Sequence, residues 1–273
     1  MKYADLHLHT LFSDGTSLPA ELIEEAKKEG LSCISIVDHD TILGIEPALE
    51  YACEKDIEVL PGIELTAEYN DQEIHILGYL IDYKDRSFRK KLEILKQNRI
   101  ERIYKITNKL KGMGLALAAD KVFALANHGT VGRMHVARAM VDEGMVDSPA
   151  EAFKRFIGDK RPAYVCGFRF TPAEAIGLIR RVAGVAVLAH PYSVKDEVTT
   201  RLIELGLDGL EVYYPEHNQA TTSLYLDIAR KYNLLITGGS DYHGMAKPEV
   251  KIGSAKIPYI FVKNLKQAKE KKR

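Results

Sequence analysis

Short apolar runs alternate with amphipathic ones along the first hundred residues, and this rhythm restricts the fold more than any other feature of the chain. ADLHLH, CISIVDHD, IEVLPGIEL and EIHILGYLID read as strands, while LPAELIEEAKKEG and ILGIEPALEYACEKD carry apolar residues at helical spacing. Asp14-Gly15 marks the loop before the first helix, and Lys28 and Gly30 suit its last turn and its C-terminal cap. From about Ser87 to Phe156 the texture changes to charged, helix-patterned sequence without a strong strand. The rhythm then resumes through PAEAIGLIRRVAG, VAVLAHP, LDGLEVYYP and LLITGGSDYH. Alternation on both sides of an interruption predicts a parallel α/β barrel or doubly wound sheet carrying an all-helical insertion. The expected division is residues 1–86 and 161–273 for the α/β body and 87–160 for the insertion. The closing KNLKQAKEKKR reads as a solvated basic tail.

Composition narrows the function classes. Hydrophobic residues make up 46% of the 273, enough for a proper core. Lys+Arg and Asp+Glu both number 38, so no global charge draws the chain to an anionic membrane or to long duplex nucleic acid. Cys33, Cys53 and Cys166 are odd in number and lie in apolar sequence, which reads as reduced packing residues. The first strand begins without a charged-then-apolar leader, and no apolar run approaches the roughly 18 residues that span a bilayer, so a soluble cytoplasmic protein is expected.

The metal-capable side chains fall at particular points of the rhythm. Residues i and i+2 of a strand leave from one face, so His7 and His9 point together, with Leu6 and Leu8 opposite. Asp14 follows in the next loop, His39 ends IVDHD, Glu64 ends PGIEL, His190 ends VLAHP, and Asp241 and His243 end ITGGSDYH. His75, within EIHILGY, is the exception to the strand-end rule. In parallel α/β folds the carboxyl ends of the strands form one face, where sites assemble. Singly, His75 or His190 also reads as a satisfied core histidine, Glu64 as a loop residue, and Asp38 as a cap on the following helix. Jointly, six of nine histidines and three carboxylates at successive strand ends point to a metal centre.

LHLHTLFSDG, VDHD, PGIEL, EIHILGY, LAHPY and GSDYHG resemble, in order, the motifs of the polymerase-and-histidinol-phosphatase (PHP) superfamily of metal-dependent phosphoesterases. The resemblance spans about Met1 to Asp82 and Ala163 to Gly253, and VGRMHVARAMVDEG with PAYV is similar to its branch of small bacterial nucleotide phosphatases. It implies a distorted (β/α)7 barrel and three divalent metal ions. One would be held by His7, His9, Glu64 and Asp241, a second by Glu64, His75 and His190, and a third by Asp14, His39 and His243. Imidazole and carboxylate ligands suit Mn, Fe or Zn better than Mg or Ca. The implied reaction is hydrolysis of phosphate monoesters of small nucleotides, most of all 3′,5′-bisphosphate nucleosides or short RNA 5′ ends, by a metal-bridging hydroxide. Histidinol-phosphate or protein-tyrosine phosphatase activity is the alternative within the superfamily, and a non-catalytic metal-binding scaffold for a polymerase or nuclease partner the alternative outside enzymes.

Substrate contacts are less sharply marked. Arg133, opening a helix of the insertion, suits bidentate grip of a phosphate or a plain surface position. His217, just past a strand end in EVYYPEHN, suits a phosphate contact, a leaving-group proton donor or a helix cap. The resemblance favours substrate contact for both. His128 and His135 read as structural, and Tyr164 and Tyr192 as weak candidates for stacking on a base.

Overall fold

The computed structural model describes residues 1–70, 72–126, 129–166, 170–194 and 196–272; His128 lies outside them. In chain order come β1 (Tyr3–Leu8), α1 (Pro19–Lys28), β2 (Cys33–Ile36), α2 (Ile45–Ala52), β3 (Glu58–Tyr69) and β4 (Gln72–Tyr79). A helical stretch follows: α3 (Arg86–Gly112), α4 (Ala119–Leu125), α5 (Arg133–Asp142) and the short α6 (Pro149–Ala152), which runs into a π-helical turn at Phe153–Ile157. The alternation then returns with α7 (Pro172–Arg181), β5 (Val185–Leu188), α8 (Asp196–Glu204), β6 (Gly209–Tyr213), α9 (Gln219–Lys231), β7 (Leu235–Gly238), β8 (Ile257–Pro258) and α10 (Ile260–Glu270).

The strands form one sheet in the order β7-β6-β5-β4-β3-β2-β1-β8. Its ends nearly close into a barrel, because Leu8 bridges Tyr242 just beyond β7 and the His9 amide donates to the Tyr242 carbonyl at 3.0 Å. The sheet is not uniformly parallel. β4 runs antiparallel to both β3 and β5, and β8 antiparallel to β1. β3 and β4 are consecutive and pair directly as a hairpin, a connection open only to antiparallel neighbours.

Strand alternation fills the barrel. Leu60 on β3, Leu77 and Tyr79 on β4, and Val185 and Val187 on β5 share an inner cluster with Ala4, Leu6 and Val37, all 7% exposed or less. Ile76, Ala186 and Leu188 face outward into a second cluster under α7. The inner cluster is sealed from below by Val262 and Leu265 of α10. The expectation of a solvated basic tail is therefore overturned. The apolar positions Val262, Leu265 and Ala268 recur at helical spacing and dock on the barrel, while the lysines between them reach water.

β1 departs from simple alternation as well. Its register with β2 slips between Asp5 and Leu8, so that the stretch opposes one residue fewer on its partner. This is a β-bulge. Leu6 consequently packs inside the barrel while Leu8 packs outside against Leu22, Ile23 and Ile34. The expected common face of Leu6 and Leu8 does not form.

The helical stretch has apolar packing of its own, from Ile103, Ile106 and Leu110 of α3 to Val136 and Met140 of α5 and Ile157. Cys33 is buried, but Cys53 and Cys166 are exposed, contrary to the packing role expected of all three. Cys53 falls where α2 ends, and its side chain leaves the core there. Among the described residues no helix is long and apolar enough to cross a membrane.

Candidate metal centre

All nine expected ligands lie at one end of the barrel, directly above the apolar inner cluster. The same strand faces carry both layers: on β4, His75 precedes Leu77 and Tyr79, and on β3, Glu64 follows Leu60. His75 is no exception once β4 is seen to run backwards, because the beginning of a reversed strand lies level with the ends of its neighbours. Glu64 does not end its strand, as the sequence suggested; β3 continues to Tyr69, and Glu64 pairs with Leu77 in mid-ribbon.

The donor atoms gather around Glu64. Its Oε2 lies 3.3 Å from His7 Nε2 and 3.2 Å from His9 Nε2. Those two nitrogens are 3.1 Å apart, and Asp241 Oδ1 lies 3.4 and 3.3 Å from them. Its Oε1 faces a different pair, His75 Nδ1 at 3.0 Å and His190 Nε2 at 3.3 Å, themselves 3.3 Å apart. A third, looser group forms where His243 Nε2 lies 3.2 Å and His39 Nε2 3.8 Å from the two oxygens of Asp14. Four donors about 2.0–2.1 Å from a common centre stand about 3.3–3.4 Å from one another, so the first two groups have the spacing of a tetrahedral ligand shell.

The residues therefore fit divalent ions, and the orphaned atoms agree. Asp14 Oδ1 and His39 Nδ1 are buried without a hydrogen bond among the described residues, although charged or polar neighbours stand within 3.3 Å. Charge tells the same story. Burial would discourage ionisation of Glu64, Asp14 and Asp241, yet the surrounding histidines hold all three carboxyls well below their ordinary range. Burial likewise opposes charge on the imidazoles, but Asp241 and Glu64 lift His9 to about 9, and Glu64 with Glu73 lifts His75 to about 10. Burial dominates at His39, which is pushed down to about 3. A cluster that draws protons onto its nitrogens in this way is a cluster that attracts cations.

Several supporting residues escaped the sequence reading. Glu211 of β6, fully buried, accepts from His7 Nδ1 at 2.8 Å and from the His190 amide at 2.8 Å, so His7 presents Nε2 to the centre. Asp241 Oδ2 accepts from the Tyr214 hydroxyl and from Lys247 Nζ, both at 2.9 Å, which leaves Oδ1 for the histidines. Asp38 caps no helix; α2 starts at Ile45 with Gly44 as its N-cap, and the Asp38 carboxylate instead accepts from Thr10 and Ser13, holding the loop that carries Asp14. Glu73 lies between His75 and two arginines of the helical stretch. Glu211, Asp38 and Glu73 are acidic side chains in or beside apolar strands, a signal that in sequence cannot be told from an outward-facing residue.

Arg133 is brought to the site and His217 is not. Arg133 opens α5 and lines a cavity of about 190 Å³ together with Asp14, His39, Glu64, His75, His190, Asp241 and His243. Its guanidinium is already engaged, with Glu73 Oε1 at 3.1 Å and Asp159 Oδ1 at 2.7 Å. His217 packs among Tyr192, Tyr214 and Tyr225 behind the ligands. His135 is buried, and its Nδ1 accepts from the Gly132 amide at the start of α5. Tyr164 is buried under the Arg102 and Arg133 guanidiniums, which occupy the ring face a base would need, whereas Tyr192 is exposed.

Fold and site together define a metal-dependent hydrolase. The comparisons make the class specific. The PHP domain family matches residues 5–158, more than half of the chain, and the chain belongs to that family. It is 33% identical to a 5'-3' exoribonuclease of Haemophilus influenzae over 89% of this chain and 90% of that protein. It is 29% identical to a 3',5'-nucleoside bisphosphate phosphatase of Chromobacterium violaceum over 89% and 88%. Among solved structures, one from Bifidobacterium adolescentis described as a metal-dependent phosphoesterase superimposes with a TM-score of 0.88 at 31% identity, covering 97% of this chain and 96% of that one. The protein is a metal-dependent phosphoesterase with a PHP-type barrel.

Proposed function

We propose that the protein removes phosphate from small nucleotides, with 3′,5′-bisphosphate nucleosides as preferred substrates and short RNA 5′ ends as the second reading. The observation that carries it is the division of Glu64, one oxygen to His7 and His9 and the other to His75 and His190, which suits a carboxylate shared by two ions. In this reading His7, His9, Glu64 and Asp241 hold one ion, Glu64, His75 and His190 a second, and Asp14, His39 and His243 a third. Bound Mn, Fe or Zn supplies Lewis-acid chemistry at the phosphoryl group and activation of water near neutral pH.

The chain's own residues do the rest. Glu211, Tyr214 and Lys247 fix the direction in which His7 and Asp241 face. Arg133, at the cavity wall, meets a second phosphate of the same substrate by exchanging Asp159 for it, since Asp159 is the more exposed of its two carboxylate partners. His217 donates from Nδ1 to the Val212 carbonyl at 2.8 Å, and burial lowers its affinity for a second proton. Its Nε2, buried and without a hydrogen-bond partner among the described residues, is thus an acceptor held behind the ligands rather than an acid for a leaving group. The helical stretch, 87–160, acts as a lid, and the protein works as a cytoplasmic enzyme.

The relatives support both substrate readings, the exoribonuclease one and the bisphosphate one. Release of phosphate and of mononucleotides after metal reconstitution decides between them, using a 3′,5′-bisphosphate nucleoside, a nucleoside 5′-monophosphate, a 5′-phosphorylated pentanucleotide, histidinol phosphate and phosphotyrosine. Turnover of the first at least tenfold above the others is the expected result. A preference for phosphotyrosine or histidinol phosphate overturns the nucleotide reading.

A further inference from the structure

Glu73 and His75 lie two residues apart on β4 and so share its inner face. Glu73 Oε1 lies 3.1 Å from His75 Nε2 and 3.1 Å from Arg133 Nη2, while its Oε2 lies 2.8 Å from Arg102 Nη1. All four of these side chains are largely shielded from water, Glu73 at 13% exposure. The other nitrogen of His75, Nδ1, is the one turned toward Glu64 and His190. An imidazole that donates from Nε2 keeps its lone pair on Nδ1, so the carboxylate at one edge of the ring selects the atom offered at the other. Arg102 comes from α3 and Arg133 from α5.

We propose that Glu73 is a positioning residue of the metal centre: it fixes the tautomer and tilt of His75, and Arg102 and Arg133 act on the ligand set through it. The helical stretch is on this account part of the metal site's support, and Arg133 has a duty toward the centre besides any contact with substrate. The inference rests on the assignment of His75 as a ligand, and its test separates the two.

Metal affinity is the measurement, made by titrating zinc into the metal-free protein against a chromophoric chelator, with bound metal counted by elemental analysis and folding checked by circular dichroism. His75→Ala is expected to lose one ion, and a full count there would overturn the ligand assignment itself. Glu73→Ala is expected to weaken one ion by roughly ten- to a hundredfold and to leave the others unchanged. Glu73→Gln, which keeps an oxygen acceptor but makes both guanidiniums compete for it, is expected to weaken the same ion several-fold, and it decides the matter if the alanine variant does not fold. A Glu73→Gln protein that folds and binds every ion as the parent does, while His75→Ala loses one, overturns the positioning role alone. Uniform weakening of all ions also overturns it, because a general loosening of the barrel would have that effect.

Discussion

At the scale of single residues the centre turns on Glu64, which touches histidines of all three groups. Glu64→Gln keeps the shape but removes the charge between them, and activity is expected to fall by about a hundredfold or more, since even residues that only support a ligand cost 10–100-fold. Metal analysis of the purified variant should show the loss of more than one ion; full occupancy with full activity would show that the carboxylate is not shared. Protons and metals compete for the same atoms. His9 and His75, with unfolded values near 6.5, hold their protons up to about 9 and about 10 in the metal-free fold. Both values are raised, so their contribution to stability is complete below about pH 6.5 and is lost as pH climbs toward 9 and 10. The melting temperature of the metal-free protein is therefore expected to fall across that window. Zinc binding in weakly buffered solution at pH 7 should release protons, which an indicator dye records. Arg133 gives the kinetic counterpart. Arg133→Ala is expected to lower kcat/KM for a bisphosphate nucleoside by roughly ten- to a hundredfold, the value of a charge-assisted contact of about 1.5–3 kcal/mol, and to affect a simple monoester much less. An equal loss on both substrates would place Arg133 on the reacting phosphate.

Elements explain what the sequence could and could not disclose. His7, His9, His39, His190, Asp241 and His243 were legible as a group because they end apolar runs, and a parallel strand delivers its end to a predictable face. His75 and Glu64 were legible by type and not by position, since the reversal of β4 and the length of β3 are decided by pairing across the sheet. The β1 bulge was invisible for the same reason: register belongs to two strands at once, and one strand's alternation does not contain it. The α10 helix was missed because lysine count hid three apolar residues at helical spacing. The buried pair of Arg99 on α3 and Asp40 beyond β2 was equally hidden, with Nε donating to Oδ2 at 2.7 Å while Nη1 reaches the Val131 carbonyl. Removing one member of such a pair strands a buried charge, so Arg99→Met is expected to destabilise the fold by about 3–5 kcal/mol. Denaturant midpoints would show it, and a shift below 1 kcal/mol would mean that water reaches Asp40 when the arginine is gone.

The whole molecule is a barrel with an apolar lower half and a polar upper half, and metals are expected to govern its activity without governing its folding. Chelation should abolish phosphate release while leaving the helical circular dichroism spectrum intact, because the inner cluster from Ala4 to Leu265 contains none of the ligands. Activity should return with Mn, Fe or Zn more readily than with Mg, whose preference is for oxygen alone. Recovery with Mg alone would contradict an imidazole-rich centre. The cavity above the ligands adds a consequence of its size. At about 190 Å³ it is smaller than the roughly 300–1,000 Å³ of pockets that engulf a whole small molecule. On the proposed function, a cavity of that size would take a phosphate group and little more of the substrate, and the remainder would stand in water. An enzyme that grips only the end of its substrate has no wall against which to measure the remainder. On the proposed function, selection among a mononucleotide, a dinucleotide and a longer strand would then fall to the few groups at the rim of the cavity rather than to its depth.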